Sequence, residues 1–342
     1  MLHTINPEIL FLKQEDVIKA GLLDMKQILA VTEKTYQMLG QGFIQNPPKT
    51  HIGMPKDPDW DSFVNTMPCY IGGDVNICGV KFAAESKKNA TIPGIPYGID
   101  ITILSDPETV LPFCILDGTI ITAMRTSAVA ATQAKYAAPS NAEVATLVGA
   151  GVIGRTMIMA LSEAIPSLKK IYLADLDMSK AEALVAEYQG INGVELVAVT
   201  DSKAAAKESQ VIIGETTSRK PFMDADWAKP NSAIVCVSHD ASVELVKKAD
   251  AICVDYWKQM STFKNSVVTE LFDAGEIKRE DFSELSEMTL GKKLRTSDDQ
   301  FIYAGSIGLG ALDIMVAYQM YENAAKMGLG TKVNLWDKPL WE

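Results

Sequence analysis

Short apolar segments alternate with helical patterns along the second half of the chain. The run Ala145–Val148 is too short and too β-branched for a helix, and it predicts a buried strand. Regular alternation of this kind predicts an α/β fold with a Rossmann-type, doubly wound parallel sheet covered by helices on both faces. The predicted elements beyond residue 154 are helix 155–165, strand 170–175, helix 179–189, strand 195–199, helix 202–207, and strands 210–214, 233–237 and 251–254.

The amino-terminal part of the chain has a different pattern, in which short strands follow one another. A strand is predicted at Ile9–Leu12 and a helix from Leu22 onward, and Pro55–Asp59 has the composition of a turn. Closely spaced strands indicate a second, α+β domain built on antiparallel or mixed strands. Its predicted strands are 62–68, 78–83, 98–104 and 111–116.

Further helices and turns are predicted around and beyond these two regions. An alanine-rich helix is expected at 120–138, a helical and acidic segment at 264–293, and an apolar helix at 311–327. Gly305–Gly310 predicts a glycine-rich turn, and the residues from Gly328 onward predict a short polar extension.

Composition narrows the possible functions. The 342 residues are 47% apolar, which is typical of a globular protein, and the formal net charge of −11 argues against nucleic acid or an anionic membrane as a partner. The five cysteines form no C-x-x-C pair, so neither a disulfide framework nor a metal site is indicated. A reducing cytoplasm is the compartment we expect.

Three glycines follow the first of the buried strands in the order G-x-G-x-x-G. Gly149 permits a sharp turn, Gly151 lets the backbone approach a pyrophosphate, and Gly154 lets helix and strand pack closely. The N–H groups at the start of the next helix, near Val152 and Ile153, then face the anion. These five residues are therefore predicted to bind a dinucleotide.

A carboxylate further along the chain predicts which dinucleotide is bound. Asp175 ends the next strand, 21 positions beyond Gly154, where a ribose hydroxyl needs an acceptor. Its negative charge would oppose a 2′-phosphate, and no arginine follows it immediately, although Lys180 is near. We therefore predict NAD as the cofactor.

Polar residues follow two later strands of the same predicted sheet. Ligands of such sheets bind beyond the carboxyl ends of the strands, so these residues are candidates for the cofactor and the chemistry. They are Glu215, Thr216 and Thr217 after one strand, and Ser238, His239 and Asp240 after the next. Thr216, Thr217, Ser238, His239 and, in the second glycine-rich turn, Ser306 are predicted cofactor residues. Asp240 and His239 remain alternative proton carriers.

Three segments carry a resemblance to a known family. Ile115–Ala130, which contains L-D-G-T and T-A-M-R-T-S-A, together with Gly149–Gly154 and Lys326–Thr331, resembles the ornithine cyclodeaminase/mu-crystallin family over nearly the whole chain. The resemblance implies a homodimer. It also implies that residues 1–125, completed by 312–342, bind the substrate and form the dimer, while residues 126–311 bind NAD.

The resemblance implies roles for individual side chains. Lys81 and Arg125 match residues that contact the substrate carboxylate, Arg125 and Thr126 match cofactor contacts, and Asp240 matches the aspartate that handles the proton or the amino group. Lys81 and Asp240 are thus the predicted catalytic residues. An amino-acid carboxylate requires a charge-assisted partner, and the planar fork of an arginine supplies one.

The sequence departs from the pattern of ornithine cyclodeaminases at several positions. Asp240-Ala-Ser-Val-Glu-Leu lacks the expected glycine and lysine, Asn65 stands where a carboxylate is expected, and Lys49 replaces an arginine. Lys49 and Asn65 are still predicted to bind the substrate. These departures argue against strict ornithine cyclisation and increase the similarity to the branch that cleaves opine-like amino-acid conjugates.

The predicted function is hydride transfer at the Cα–N bond of a small L-amino or imino acid, with NAD as the cofactor. Ornithine cyclodeaminase-like activity is the default. The alternatives are an opine-type dehydrogenase acting on a conjugate such as N-(2-amino-2-carboxyethyl)-glutamate, a cyclic imine (ketimine) reductase, and a non-catalytic NAD(P)H-binding protein resembling mu-crystallin.

Overall fold

The strands in the described part of the chain form two sheets. The computed structural model describes residues 7–54, 62–218 and 220–341, so the turn predicted at Pro55–Asp59 lies outside the described residues. The strands are β1 (Glu8–Leu12), β2 (Ile44–Gln45), β3 (Thr50–Gly53), β4 (Ser62–Ile71), β5 (Ile77–Ser86), β6 (Gly98–Ser105), β7 (Pro112–Asp117), β8 (Val144–Val148), β9 (Lys170–Ala174), β10 (Glu195–Ala198), β11 (Val211–Gly214), β12 (Ser232–Cys236), β13 (Ala251–Val254), β14 (Phe282–Glu284), β15 (Phe301–Gly305) and β16 (Thr331–Asn334).

Helices connect and cover these strands. They are α1 (Gln14–Val17), α2 (Met25–Gly40), α3 (Thr119–Ala137), α4 (Val152–Ala164), α5 (Met178–Tyr188), α6 (Ser202–Glu208), α7 (Val243–Val246), α8 (Trp257–Met260), α9 (Val267–Asp273), α10 (Leu285–Thr289) and α11 (Gly310–Met327). None of the described helices is both long enough and apolar enough to span a bilayer.

The chain forms two compact units. Unit 1 contains Met1–Asp24, Gln41–Thr122 and Leu309–Glu342, and unit 2 contains Met25–Gly40 and Ala123–Gly308. The domain boundaries that the family resemblance implies differ from these units mainly at α2. The expected boundaries put α2 in the amino-terminal domain, whereas the structure puts it in unit 2. The buried face of α2 includes Ile28 and Tyr36, and the helix packs with α4 and α10 of unit 2.

Unit 1 is built on a mixed sheet. Its strands run in the order β16-β1-β7-β6-β5-β4-β2, and β3 also pairs with β4. Only β1 and β7 pair in parallel among the described strand pairs of this sheet, which agrees with the predicted mixed pairing. Burial alternates along β6, where Asp100, Thr102 and Leu104 are buried and Ile99 and Ile101 are exposed.

Unit 2 is built on a parallel sheet with the strand order β10-β9-β8-β11-β12-β15-β13-β14. The order reverses at β8, whose neighbours β9 and β11 lie on opposite sides. In doubly wound sheets, a crevice at such a reversal receives the ligand. The predicted Rossmann-type fold is therefore confirmed.

Three strands depart from the predicted elements. β15 lies between β12 and β13, although Gly305 was assigned only to a turn, and β14 interrupts the segment 264–293 that was expected to be helical. β16 belongs to the residues expected to form a polar extension, and it pairs antiparallel with β1 at the sheet edge. β14 and β15 are stabilised as strands because each pairs in parallel with one side of β13.

Candidate dinucleotide and active site

The glycine turn between β8 and α4 has the geometry that a dinucleotide requires. Gly149 adopts a φ of +120°, and a Cβ there would lie 2.6 Å from the backbone oxygen of Glu215. A Cβ on Gly154 would lie 2.4 Å from the Gly149 oxygen, whereas one on Gly151 would meet no atom within 4 Å. Open space beside Gly151 at a helix start fits a pyrophosphate, so the residues present fit a dinucleotide.

The remaining residues of the turn lie at the start of α4. Gly151 is the N-cap residue, Val152 is 64% exposed and Ile153 is partly buried. The first N–H groups of a helix have no partner within the helix, and they attract anions. Val152 and Ile153 therefore lie in the first turn of α4.

Asp175 follows β9 and reaches the glycine turn. Its Oδ2 accepts a hydrogen bond from the Ala150 N–H at 2.8 Å, and its Oδ1 accepts one from the Asp177 N–H at 2.8 Å. These bonds fix the carboxylate at the rim of the turn. Each oxygen retains a lone pair for a further donor, such as a ribose hydroxyl.

Asp240 lies at the centre of a hydrogen-bonded group at the ends of β11 and β12. The Thr216 hydroxyl donates to its Oδ1 at 2.6 Å, and the Thr216 N–H and the Ser238 hydroxyl donate to its Oδ2. Asp240 is fully buried, while Thr217 and His239 are exposed. Three of the predicted residues, Thr216, Ser238 and Asp240, are therefore joined by hydrogen bonds. His239 and Thr217 do not take part in these bonds.

Glu215 follows β11 directly and packs against the glycine turn. Its Oε1 lies 2.7 Å from the position that a Cβ on Gly154 would occupy, and neither side-chain oxygen has a hydrogen-bond partner among the described residues. Burial raises the pKa of the Glu215 carboxyl well above its usual range, and the nearby Asp240 and Asp175 carboxylates raise it further.

Arg125, Thr126 and Ser306 are also buried in unit 2. A Cβ on Gly308 would lie 2.5 Å from Arg125 Nη1, so the guanidinium lies against a backbone segment that only glycine permits. The Gly308 N–H donates to Asp255 Oδ2 at 2.6 Å, which holds this segment in place. The Ser306 N–H donates to the Cys236 carbonyl oxygen at 3.1 Å, which places Ser306 beside the end of β12.

Lys81 of unit 1 is buried among carboxylates. Its Nζ donates to the Thr122 hydroxyl at 2.5 Å and to Asp313 Oδ1 at 2.9 Å, and it lies 3.0 Å from Asp100 Oδ2. The Thr122 hydroxyl also donates to Asp100. Three oxygen atoms thus face the three N–H donors of the ammonium group. A substrate carboxylate can bind Lys81 directly only by replacing one of them.

Lys49 and Asn65 lie at the edge of the sheet of unit 1. Asn65 is on β4, and its Oδ1 accepts a hydrogen bond from His51 Nδ1 at 2.9 Å. Lys49 is partly buried immediately before β3. The structure therefore places Asn65 and Lys49 on neighbouring segments, and Asn65 is bonded to His51.

Sequence reasoning did not assign roles to several residues of these groups. The sequence pattern indicates no role for Asp100 and Asp313, which surround Lys81, and it distinguishes Glu215 only by its position after a strand. A signal existed for Asp313, because it is the one carboxylate in the apolar first half of α11. Within the described ranges, no group of three or more His, Cys, Asp or Glu side chains is arranged to hold a metal ion.

A glycine turn at the reversal of a parallel sheet, with a carboxylate at the end of the next strand, defines a dinucleotide-binding α/β protein. The chain belongs to the ornithine cyclodeaminase/mu-crystallin family, whose model matches residues 8–328. The family inferred from the sequence is therefore confirmed.

The relatives are similar over almost their full length. The chain is 27% identical over 338 residues to N-((2S)-2-amino-2-carboxyethyl)-L-glutamate dehydrogenase of Staphylococcus aureus, covering 97% of this chain and 100% of that protein. The structure of Thermococcus litoralis Delta(1)-pyrroline-2-carboxylate reductase, in complex with NADH and L-proline, matches with a TM-score of 0.85 at 28% identity, covering 95% and 100% of the two chains. An archaeal alanine dehydrogenase dimer with bound NAD matches with a TM-score of 0.84 at 26% identity, covering 96% and 100%.

These relatives include dehydrogenases and reductases of amino and imino acids, and two of the structures contain a nicotinamide cofactor. The predicted enzyme class, a nicotinamide-dependent oxidoreductase or cyclodeaminase acting on C–N bonds, is therefore confirmed at the level of the family.

Proposed function

We propose that this chain catalyses NAD-dependent hydride transfer at the Cα–N bond of a small L-amino or imino acid. When bound, NAD accepts a hydride from the carbon that bears nitrogen, and NADH returns it. The observation that carries the proposal is the buried Asp240 carboxylate, which Thr216 and Ser238 hold at the ends of two strands beside the glycine turn. A carboxylate fixed there is suited to accept a proton from an ammonium group or a water molecule.

The substrate side of the proposal rests on the basic residues. Arg125 is the principal carboxylate partner that we propose, since its guanidinium offers a planar pair of donors. The three N–H donors of Lys81 already face oxygen atoms of Thr122, Asp100 and Asp313. In this proposal the substrate carboxylate therefore takes the place of Asp100 or Asp313 beside the Lys81 ammonium group. Lys49 and Asn65 complete the proposed set of substrate contacts.

A second candidate is an opine-type dehydrogenase, and a specific feature of unit 1 favours it. Cyclisation of ornithine requires a second amine to be held near the reacting carbon, and a carboxylate is the natural partner of such a cation. Asn65 occupies the position where we expect that carboxylate, and its oxygen is bonded to His51. The similarity to the Staphylococcus aureus enzyme, whose name specifies an amino-acid conjugate, supports the same candidate.

Absorbance of NADH separates the candidates. The protein is incubated with NAD and, separately, L-alanine, L-proline, L-ornithine and N-(2-amino-2-carboxyethyl)-L-glutamate, and with NADH and a cyclic imine. Accumulation of NADH identifies a dehydrogenase, loss of NADH with the imine identifies a reductase, and conversion of ornithine to proline without net NADH identifies a cyclodeaminase. The absence of turnover with every substrate would overturn the proposal and leave a dinucleotide-binding protein.

Two variants test the role of Asp240. Asp240→Asn retains the shape of the side chain and removes the proton acceptor, so turnover should fall about 100-fold or more while NADH still binds. Glu182→Gln, on the exposed face of α5, is the matched control and should retain full turnover. Equal turnover of both variants would assign the proton step to another group, and His239→Asn is then the next variant to measure.

We also propose that the protein is a homodimer, because one face of the sheet of unit 1 is apolar and exposed. Phe82 on β5 and Ile101 on β6 are cross-strand partners that are each 44% exposed, and Ile99 is 40% exposed. A contiguous exposed apolar face typically marks an interface. The dimeric archaeal alanine dehydrogenase supports a second copy of this chain as the occupant.

Sedimentation analysis tests the dimer. Ile101→Lys should convert the protein to a monomer, whereas Leu340→Lys, at an 81% exposed position outside the sheet, should not. A dimer that persists in the Ile101→Lys variant would refute this interface.

We further propose a cytoplasmic location, since all five cysteines are unpaired and four of them are buried.

A further inference from the structure

Glu215 carries a buried carboxyl group for which the proposed chemistry has no role. It follows β11 at the point where the strand order of unit 2 reverses, and its N–H donates to the Val148 carbonyl oxygen at 3.0 Å. This bond places the residue beside the end of β8 and beneath the dinucleotide turn. Its position therefore relates to the cofactor more closely than to the scaffold.

The two outer glycines of the motif make room for this side chain. A Cβ on Gly149 would lie 3.2 Å from Glu215 Cγ, and a Cβ on Gly154 would lie 2.7 Å from Glu215 Oε1. The carboxyl group of Glu215 thus lies where a side chain at Gly154 would be, and its Cγ and backbone carbonyl group lie against the position of a side chain at Gly149. Any change in its charge or position acts directly on the turn.

The surroundings of Glu215 favour its uncharged form. Both of its side-chain oxygens are buried, and no described residue donates a hydrogen bond to them. An ionised carboxylate without donors is strongly disfavoured, and the pKa of Glu215 is raised well above its usual range by this burial. Asp240 and Asp175, which follow the neighbouring strands, raise it further, and on α4 Arg155 is paired with Glu187 at the surface.

We propose that Glu215 is a positioning residue of the dinucleotide site, which supports the glycine turn as a neutral acid and opposes the cofactor as a carboxylate. A negative charge beneath the turn repels the pyrophosphate and offsets the partial positive charge at the start of α4. The affinity for the cofactor is therefore higher when the Glu215 carboxyl group holds its proton than when it has lost it. This inference rests on the proposed NAD-binding function and adds to it a pH dependence carried by one side chain.

Titration of NADH binding by fluorescence, from mildly acidic to alkaline pH, tests the proposal. The affinity of the unchanged protein should fall by up to about tenfold per pH unit above the pKa of Glu215. Glu215→Gln keeps the shape and a donor and should bind NADH with an affinity that is nearly independent of pH. Glu215→Met, which also lacks the charge, should behave in the same way and serves if the amide variant does not fold. The control Glu182→Gln should follow the unchanged protein.

Stability without cofactor gives a second reading. A carboxyl group whose pKa is raised in the folded state stabilises the fold fully below its usual pKa of 4.5, and this contribution is lost as the pH rises through the raised value. The free energy of unfolding of the unchanged protein should therefore decline with pH relative to Glu215→Gln.

The outcomes separate this inference from the function on which it rests. Intact NADH binding with the same pH profile in the unchanged protein and in both Glu215 variants would overturn the inference alone. Failure of every protein to bind NADH at any pH would overturn the proposed function and the inference together. A pH-dependent affinity that only the two Glu215 variants lose would support both.

Discussion

Replacement of Lys81 by methionine tests how the buried charges of unit 1 are balanced. Lys81 is 1% exposed, and its partners Asp100 and Asp313 are 5% and 0% exposed. At 2.9 Å from Asp313, with an effective dielectric constant of about 20, each ion pair is worth roughly 6 kcal/mol before the cost of desolvation. Lys81→Met removes the shared cation and leaves two buried carboxylates without it.

The net loss is smaller than the Coulomb energy because burial of the lysine is itself unfavourable. Removal of one partner from a buried ion pair typically destabilises a protein by about 3–5 kcal/mol. A loss of this size lowers an unfolding midpoint by roughly 10 °C in a domain of ordinary size. Differential scanning calorimetry measures this shift, and Lys87→Met, an exposed lysine that follows β5, is the matched control.

A combined variant separates charge from packing. Asp100→Asn and Asp313→Asn together with Lys81→Met remove the whole charged group, and much of the lost stability should return, because neutral replacement of a complete buried ion pair is often tolerated. An unfolding midpoint of Lys81→Met within about 2 °C of the Lys87→Met control would refute the view that the Lys81 ammonium group stabilises the fold by neutralising Asp100 and Asp313.

Two further predictions concern the glycine turn and the cysteines. Gly151→Ala should leave the thermal unfolding midpoint unchanged, because the added Cβ meets no atom within 4 Å. The same variant should weaken NADH binding about tenfold or more, because the Cβ occupies space proposed for the pyrophosphate. Unchanged affinity in a fluorescence titration would contradict the proposed pyrophosphate position. Burial raises the pKa of the Cys69 and Cys114 thiols to about 12, so iodoacetamide at mildly alkaline pH should alkylate the half-exposed Cys78 first. Peptide mass spectrometry checks the order, and equally rapid labelling of Cys114 would contradict it.

Local pattern was sufficient for most of the framework. The strand before Gly149 and the helix after it were predictable because an apolar run, a glycine turn and helical spacing coincide within a few residues. β15 was not predictable in the same way. Its five buried residues run directly into a glycine-rich segment, and only the ladders with β12 and β13 make them a central strand.

The candidate site was predictable for residues that directly follow strands of the parallel sheet, because the ends of neighbouring parallel strands lie at the same edge of the sheet. Asp240 and Thr216 each follow a strand of one parallel sheet, so their meeting follows from topology. The partners of Lys81 do not follow from such a rule, because Asp313 lies 232 positions away on a helix. Lys81 alternates with Val80 and Phe82 along the chain, and this pattern does not show whether its face is solvent-exposed or covered by carboxylates.

The assembly of unit 1 from three separated segments has a consequence for biosynthesis. Most of its sheet, with Lys81 and its partner Asp100, leaves the ribosome early, whereas α11, which carries the second partner Asp313, follows only after the continuous stretch Ala123–Gly308 of unit 2. Domains generally fold as units during synthesis. Until the residues beyond Gly308 have been translated, Lys81 on β5 has only Asp100 of its two carboxylate partners, and translation pauses before that point prolong the exposure of an incomplete sheet.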